Sequence, residues 1–181
     1  DDTINAASFD TALEIDAGDG DDVITTQSGT LDLNVDAGAG DDSITVTGSK
    51  FAAADTVTGG AGTDTVILSG AATLTDADFA NKTTVEALTA ANATNSLTLG
   101  TKASAAGFTI VTGGTGDDTI NAASFDTALE IDAGAGADVI TTQSGTLDLN
   151  VDAGDGDDSI TVTSSKFAAA DTVTGGAGTD T

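Results

Sequence analysis

Acidic, glycine-rich loops recur along this chain and carry its most evident chemistry. Each loop has six residues, with glycine at the second and fourth positions and aspartate at the sixth. The seven loops span residues 17–22, 37–42, 59–64, 113–118, 133–138, 153–158 and 175–180. Glycine lets the backbone turn sharply and point its carbonyl oxygens inward, and the aspartate adds a charged oxygen. Calcium binds sets of hard oxygen atoms of this kind.

The loops belong to two nested repeats. Residues 117–181 repeat residues 1–65 with 61 of 65 positions identical, and within each copy the loops return every 20 to 22 residues. Such a period is typical of solenoids, in which each repeat forms one coil. We therefore predict one continuous array: calcium-binding repeats at 1–65 and 113–181, and a spacer without such loops at 66–112. We expect the chain to be a fragment of a longer tandem repeat.

Between the loops, apolar and polar residues alternate with the period of a β-strand, as in the segment 31–35. Short strands rich in β-branched residues, joined by glycine turns at even spacing, predict an all-β fold. The expected architecture is a parallel β-solenoid with about 20 residues per turn and a second bend near residues 27–29. In the spacer, Thr75 precedes an acidic first turn, which predicts a short helical excursion near residues 75–81.

The charge of the chain restricts its partners. It has 30 acidic residues and four lysines, for a net charge of −26. There is no basic patch for nucleic acid, and no apolar stretch long enough to insert into a membrane. Because a chain this acidic repels itself when compact, we expect it to be poorly ordered without cations and folded with them.

The residue types argue against catalysis. The chain has no His, Cys, Tyr, Trp, Met or Arg, so nearly every catalytic triad and the usual transition-metal ligands are absent. Paired carboxylates could serve a glycosidase, but the six aromatic residues are all phenylalanine and are expected to fill the bends. The isolated Glu14, Glu86 and Glu130 are expected to be surface residues. We predict that the chain is not an enzyme.

The loops and the strand residues after them resemble the RTX (repeats-in-toxin) calcium-binding family. Its nonapeptide reads G-G-x-G-x-D-x-U-x, where U is a large apolar residue. Residues 59–67 and 113–121 fit every position, and four other loops differ by having alanine first. The resemblance implies a β-roll with several calcium ions, each held between loops of neighbouring turns by an aspartate and backbone carbonyls.

The residues implied as calcium ligands follow from the loop positions. The sixth-position aspartates are Asp22, Asp42, Asp64, Asp118, Asp138, Asp158 and Asp180. The glycines that would ligate through their carbonyls are Gly18, Gly20, Gly38, Gly40, Gly60, Gly62, Gly114, Gly116, Gly134, Gly136, Gly154, Gly156, Gly176 and Gly178. Three of the four differences between the copies lie at loop positions three and five, so aspartates there are expected to be supplementary: Asp19, Asp21, Asp41, Asp117, Asp155 and Asp157.

The spacing departs from the family pattern. RTX repeats in tandem recur every nine residues and place calcium on both edges of the roll, whereas these loops return after about 20. The bends opposite the loops carry no comparable residues. We therefore predict a single ladder of calcium ions along one edge, in either a flattened β-roll or a more rounded β-helix.

The favoured function is a calcium-stabilised structural module, a stalk or surface-layer segment of a secreted bacterial protein. It is similar to the repeat arrays of RTX-type adhesins and S-layer-like proteins, which implies an extracellular or cell-surface location, type I-like secretion and possible lateral self-association. A second hypothesis is a folding and secretion module of an RTX-type enzyme. A third is an ice- or surface-binding face built from Thr-x-Thr units such as 45–47, although their spacing is irregular.

Overall fold

The computed structural model describes residues 1–9, 11–26, 32–142, 148–163 and 167–181. Short parallel strands follow one another around a common axis in about eight turns of roughly 20 residues. This confirms the predicted all-β parallel solenoid. The bend predicted near residues 27–29 lies outside the described residues.

The strands are short because each apolar-polar alternation ends at a glycine loop or bend. They are β1 (Thr3–Ala6), β2 (Leu13–Asp16), β3 (Val23–Thr26), β4 (Leu33–Ala39), β5 (Ser43–Thr47), β6 (Thr56–Ala61), β7 (Thr65–Ser69), β8 (Thr73–Leu74), β9 (Lys82–Thr83), β10 (Ala87–Thr89), β11 (Ser96–Thr98), β12 (Ile110–Gly114), β13 (Thr119–Ala122), β14 (Leu129–Gly134), β15 (Val139–Thr142), β16 (Leu149–Asp152), β17 (Ser159–Val162) and β18 (Thr172–Thr174).

Three sheets form the walls of the solenoid. Sheet A has nine strands in the order β1-β3-β5-β7-β10-β12-β14-β16-β18. Sheet B has the order β2-β4-β6-β9, and sheet C the order β8-β11-β13-β15-β17. Neighbouring strands pair in parallel in all three sheets.

The core is a set of aliphatic columns that run from coil to coil. In sheet A, Ile24, Ile44, Val66, Leu88 and Val111 are in register, and each is 0% exposed. Burying one such side chain fully contributes about 1.5–3 kcal/mol. Because the side chains of a strand alternate between its two faces, the inward column needs only every second residue to be apolar.

The spacer contains the predicted helical excursion and one helix that was not predicted. A 3-10 helix at Asp76–Phe79 begins with a capping box formed by Thr75 and Asp78, as the sequence suggests. The additional helix, α1 (Thr101–Ala106), has no side-chain cap of its own. The carboxylate of Asp76 instead accepts hydrogen bonds from the backbone N–H groups of Gly100 and Ala103, at 2.9 and 3.1 Å.

No helix in the described ranges is long and apolar enough to cross a membrane.

The spacer is also the most aromatic part of the core. The ring of Phe79 packs edge-on against Phe51 and Phe108, with centroids 5.7 and 5.4 Å away. The buried Lys82 ammonium lies 4.6 Å from the Phe51 ring and donates to the carbonyl oxygens of Asp55 at 2.7 Å and of Ala80 at 3.1 Å. Burial lowers the pKa of Lys82 to about 8.

The expectation that every phenylalanine fills a bend is wrong at two positions. Phe51 and Phe125 are buried, but Phe9 and Phe167, which occupy the corresponding positions in the other copy, are 52% and 59% exposed. Phe51 is covered by Phe79 of the next coil, whereas Phe9 and Phe167 lie in the outermost coils.

The prediction that all the loops share one edge is wrong. In the first copy, each loop comes directly before a strand of sheet A, as loop 37–42 comes before β5. In the second copy, each loop instead begins at the end of a strand of sheet A, as loop 133–138 does at the end of β14. Since all strands of sheet A are parallel, the two groups of loops lie at opposite ends of these strands. We call these two sides, which run along the solenoid axis, the edges of sheet A.

The length of the spacer explains the change of edge. From Asp64 to Asp118 is 118 − 64 = 54 residues. Two coils of 22 residues account for 44 of them, and the remaining 10 are about half a coil. The first loop of the second copy therefore reaches the opposite edge.

Close stacking of the loops predicts a different tolerance to alanine at two equivalent glycines. Gly18 has a φ of +96° and open space where a Cβ would lie, so Gly18→Ala should cost about 1–2 kcal/mol. At Gly38, with a φ of +109°, a Cβ would lie 1.9 Å from the Gly18 carbonyl oxygen. Gly38→Ala should therefore cost about 3 kcal/mol or more. Denaturant unfolding in saturating calcium measures both, and equal losses would contradict the observed stacking.

Candidate metal centre

The sixth-position aspartates of the loops form two columns, one on each edge of sheet A. Within a column, each backbone N–H donates to the Oδ1 atom of the aspartate in the next coil. The Asp22 N–H donates to Asp42 at 2.8 Å, and the Asp42 N–H donates to Asp64 at 2.9 Å. We call the seven sixth-position residues the ladder aspartates.

The second column repeats this geometry. The Asp118 N–H donates to Asp138 at 2.7 Å, the Asp138 N–H to Asp158 at 2.8 Å, and the Asp158 N–H to Asp180 at 3.1 Å. The structure thus brings the predicted ligand aspartates together in two groups, Asp22 to Asp64 and Asp118 to Asp180. Asp180, in the last loop, is exposed, whereas the other six are buried.

The other carboxylate oxygen of the buried ladder aspartates is the central feature of the site. In each of the six, Oδ2 is buried and has no hydrogen-bond donor among the described residues; they are Asp22, Asp42, Asp64, Asp118, Asp138 and Asp158. Leaving a buried carboxylate oxygen unpaired is energetically costly. A cation at Oδ2 would remove that cost, so the donor set fits a bound metal ion.

Two other buried aspartates provide an internal comparison. Asp55 accepts the N–H groups of Leu33 and Ala52 through its two carboxylate oxygens, at 3.0 and 2.9 Å. Asp171, its counterpart, accepts those of Leu149 and Ala168 in the same way, at 3.1 and 2.7 Å. Burial of an aspartate in this fold therefore does not by itself leave an oxygen unpaired. The unpaired oxygen distinguishes the ladder aspartates.

The loop glycines bring the main chains of successive loops close together. Of the 14 glycines at loop positions two and four, all except Gly116 have a positive φ, which is the region that glycine adopts most easily. A Cβ on Gly60, Gly134 or Gly154 would lie 1.8–1.9 Å from the carbonyl oxygen of the equivalent glycine one coil earlier. The stacked loops thus present closely spaced carbonyl oxygens, of the kind that could complete the coordination of a cation.

The aspartates predicted to be supplementary are all exposed. Those at the fifth position form hydrogen bonds in the direction opposite to the ladder: Asp21 accepts the Asp41 N–H at 2.9 Å, and Asp41 accepts the Thr63 N–H at 2.7 Å. Asp117 and Asp157 accept from the next coil in the same way. The third-position residues Asp19 and Asp155 form isolated β-bridges to neighbouring loops.

Two further residues, Glu86 and Asn95, belong to the columns although they lie outside the acidic loops. Glu86, expected to be a surface residue, is half-buried, and its Oε2 accepts the Asp64 N–H at 2.8 Å. Asn95 accepts the Ala72 N–H through Oδ1 at 3.0 Å and donates its own N–H to Asp118 at 2.7 Å. Glu86 lies 86 − 64 = 22 residues after Asp64, and Asn95 lies 118 − 95 = 23 residues before Asp118. The first interval equals a loop interval and the second exceeds it by one residue, so the spacing was the signal in the sequence that could have identified them.

The electrostatics of the columns favour a cation. Burial, together with the charges of Asp42, Glu86 and Asp41, raises the pKa of Asp64 from 3.8 to about 6, against the opposing hydrogen bond from the Asp42 N–H. Burial likewise raises the pKa of Asp138 to about 6, and that of Asp118 is also raised, chiefly by burial. Within the described residues, no three Asp, Glu, His or Cys side chains converge on one point. A cation here would therefore take most of its ligands from the main chain.

Comparison with known proteins agrees with this geometry. The model of a family described as RTX calcium-binding nonapeptide repeat (4 copies) matches residues 14–30, 52–70, 105–126, 130–146 and 168–181. These ranges contain five of the seven loops, and the loops at 37–42 and 153–158 lie outside them. Comparison with curated proteins and with solved structures gave no match.

The raised pKa values predict that acid stabilises the calcium-free chain. The pKa of Asp64 and of Asp138 is near 3.8 in the unfolded chain and about 6 in the folded chain. Between these two pH values, the folded chain therefore binds more protons at these residues than the unfolded chain does. In protein dialysed free of calcium, the β signal in circular dichroism should therefore rise as the pH falls from about 7 to about 5. The double variant Asp64→Asn/Asp138→Asn should show a smaller rise. A β signal that falls over this range in the parent chain would contradict the prediction.

Proposed function

The chain is an array of RTX-type calcium-binding repeats, and we propose that calcium ions bind between successive loops and hold the coils together. The observation that carries this proposal is the buried, unpaired Oδ2 atom of six ladder aspartates. The ligands would be those carboxylate oxygens and the carbonyl oxygens of the loop glycines. The exposed fifth-position aspartates would add negative charge and hydrogen bonds around each ion.

The change of edge divides the proposed sites into two ladders. On the first edge, calcium would bind between loops 17–22 and 37–42 and between loops 37–42 and 59–64. On the second edge, it would bind between consecutive members of the four loops from 113–118 to 175–180. The segments 1–65 and 113–181 would be the calcium-dependent parts of the array, and 66–112 the part that needs no ion.

Calcium would control folding through charge and mass action. Without cations, the buried carboxylates repel one another and the net charge of −26 opposes compaction. Since calcium binds the folded loops and not the unfolded chain, each site at ten times its Kd would contribute about 1.4 kcal/mol to folding. Extracellular calcium modules typically have Kd values of about 10⁻⁴–10⁻³ M, so millimolar calcium would suffice.

Such behaviour suits a structural module of a secreted bacterial surface protein. The chain would be exported unfolded, where calcium is scarce, and would fold outside the cell into a stiff segment of a stalk or surface layer. The continuous nine-stranded sheet supports a load-bearing role, since main-chain hydrogen bonds join every coil to the next. In this role the chain has no catalytic function, and its partners are calcium, neighbouring repeats and, in a surface layer, other copies beside it.

Calcium-dependent folding is tested by far-UV circular dichroism. After EGTA treatment, we expect a disordered or weakened β signal, because the carboxylate columns are then uncompensated. Addition of calcium should restore the β signal, and the same concentration of magnesium should not, because magnesium requires a small and nearly ideal octahedral site. A full β signal in EGTA, unchanged by calcium, would mean that the loops are only turns, and the proposed function would be wrong.

The ladder aspartates are tested by counting bound ions. Asp42→Ala should reduce the number of calcium ions bound per chain by one or two, as measured by equilibrium dialysis, because Asp42 lies between two proposed sites. Asp36→Ala removes an equal charge from an exposed position of β4, the strand that leads into the same loop, and should leave the number unchanged. Equal calcium counts in the two variants would exclude Asp42 as a ligand.

A further inference from the structure

The side chain of Asn95 occupies the first position of the second column. Residues 90–95 form the bend that precedes loop 113–118 on the same edge of sheet A, and their order Ala-Ala-Asn-Ala-Thr-Asn contains no carboxylate and no glycine. This bend nevertheless stacks on the next loop as the acidic loops do. A Cβ on Gly114 would lie 2.6 Å from the Ala91 carbonyl oxygen, and one on Gly116 would lie 2.5 Å from that of Ala93.

The amide nitrogen of Asn95 is surrounded by oxygen atoms. Its Nδ2 atom lies 3.0 Å from the carbonyl oxygen of Ala91, 2.6 Å from that of Ala93 and 3.3 Å from that of Gly113. The Oδ1 atom of Asp118 is 3.0 Å away. Asn95 itself is 1% exposed. Three carbonyl oxygens and one carboxylate oxygen thus converge on a single buried donor.

Two of these oxygens correspond to proposed calcium ligands. Ala91 and Ala93 hold loop positions two and four, which are the glycine positions of the acidic loops. Gly113 holds position one, and the Asp118 oxygen is Oδ1, whereas its Oδ2 remains unpaired. The Asn95 Oδ1 atom accepts an N–H from the previous coil, as Oδ1 does in the ladder aspartates. The Asn95 Nδ2 atom therefore corresponds to the Oδ2 atom that is unpaired in the acidic loops.

We propose that the Asn95 side-chain amide replaces the first calcium ion of the second ladder. Its two N–H groups supply the positive charge density that an ion supplies between the acidic loops. The coil that contains Asn95 consequently closes without metal, next to the aromatic core of the spacer. This inference rests on the proposed function, because it identifies one loop-to-loop contact of the array as independent of calcium.

The substitution Asn95→Asp converts this contact into one of the acidic type, in the full chain. The variant should bind one more calcium ion than the parent in equilibrium dialysis. It should also require a several-fold higher calcium concentration for half-maximal folding in circular dichroism. Asn92→Asp is the matched control, since it adds the same charge to an exposed position of the same bend. Because position 92 corresponds to a supplementary position of the acidic loops, the control should leave the count unchanged and shift the midpoint much less than Asn95→Asp does.

The reverse substitution provides a second test in case Asn95→Asp does not fold. Asp138→Asn places an amide in an acidic loop, so the chain should bind at least one ion fewer and fold at a lower calcium concentration. The control Asp132→Asn removes the same charge from an exposed position of β14 and should retain the parent count.

Two outcomes separate this inference from the proposed function. If the parent chain binds no calcium, the proposed function fails, and this inference fails with it. If the parent binds calcium but Asn95→Asp binds no additional ion when folded, only the role of Asn95 is wrong. A higher calcium requirement in Asp138→Asn than in Asp132→Asn would likewise overturn the replacement of an ion by an amide.

Discussion

Repulsion between stacked carboxylates is the constraint on which the rest of this structure depends. Parallel coils pair at the strand spacing of about 4.8 Å, so identical loop residues are placed above one another at that distance. Two carboxylates so close repel by about 3 kcal/mol at an effective dielectric constant of about 20. The backbone N–H groups offset this repulsion at one oxygen of each of the six buried ladder aspartates and leave the other oxygen unpaired.

The spacer joins the two carboxylate columns through a core that uses other means of stabilisation. Glu86 is the last acceptor of the first column and lies immediately before strand β10. Asn95 is the first member of the second column and lies a few residues after the same strand. Phe79, Phe108 and the buried Lys82 belong to this spacer, and Phe51 of the first copy packs against Phe79 and Lys82. The spacer thus adds aromatic packing, an amide and a buried lysine where acidic loops are absent.

The sequence was sufficient for the parts of the fold that depend on period. The loop interval predicted the parallel solenoid, and the sixth loop position identified the aspartates that the structure brings into columns. The change of edge was missed because the 10 residues beyond two coils were attributed to an excursion rather than to half a coil. Helix α1 was missed because it is short and is capped by Asp76, about 25 residues earlier, a contact that no local pattern records.

The partners of individual side chains were the least predictable part of the site. Glu86 and Asn95 lie outside any glycine loop, so only the coil register reveals that they continue the columns. The fifth-position aspartates were predicted as supplementary charge, and their hydrogen bonds to the next loop were not foreseen, because the sequence does not indicate which loop lies above which. The same uncertainty concealed the difference between Asp55, with both oxygens paired, and the ladder aspartates.

The placement of the two carboxylate columns on opposite edges of sheet A has a mechanical consequence. A rod whose like charges lie along one edge lengthens on that edge when they repel, and it curves away from it. The two halves of this chain would then curve in opposite senses about the spacer. Two opposed curvatures would leave the axis extended instead of closing it into an arc or a ring.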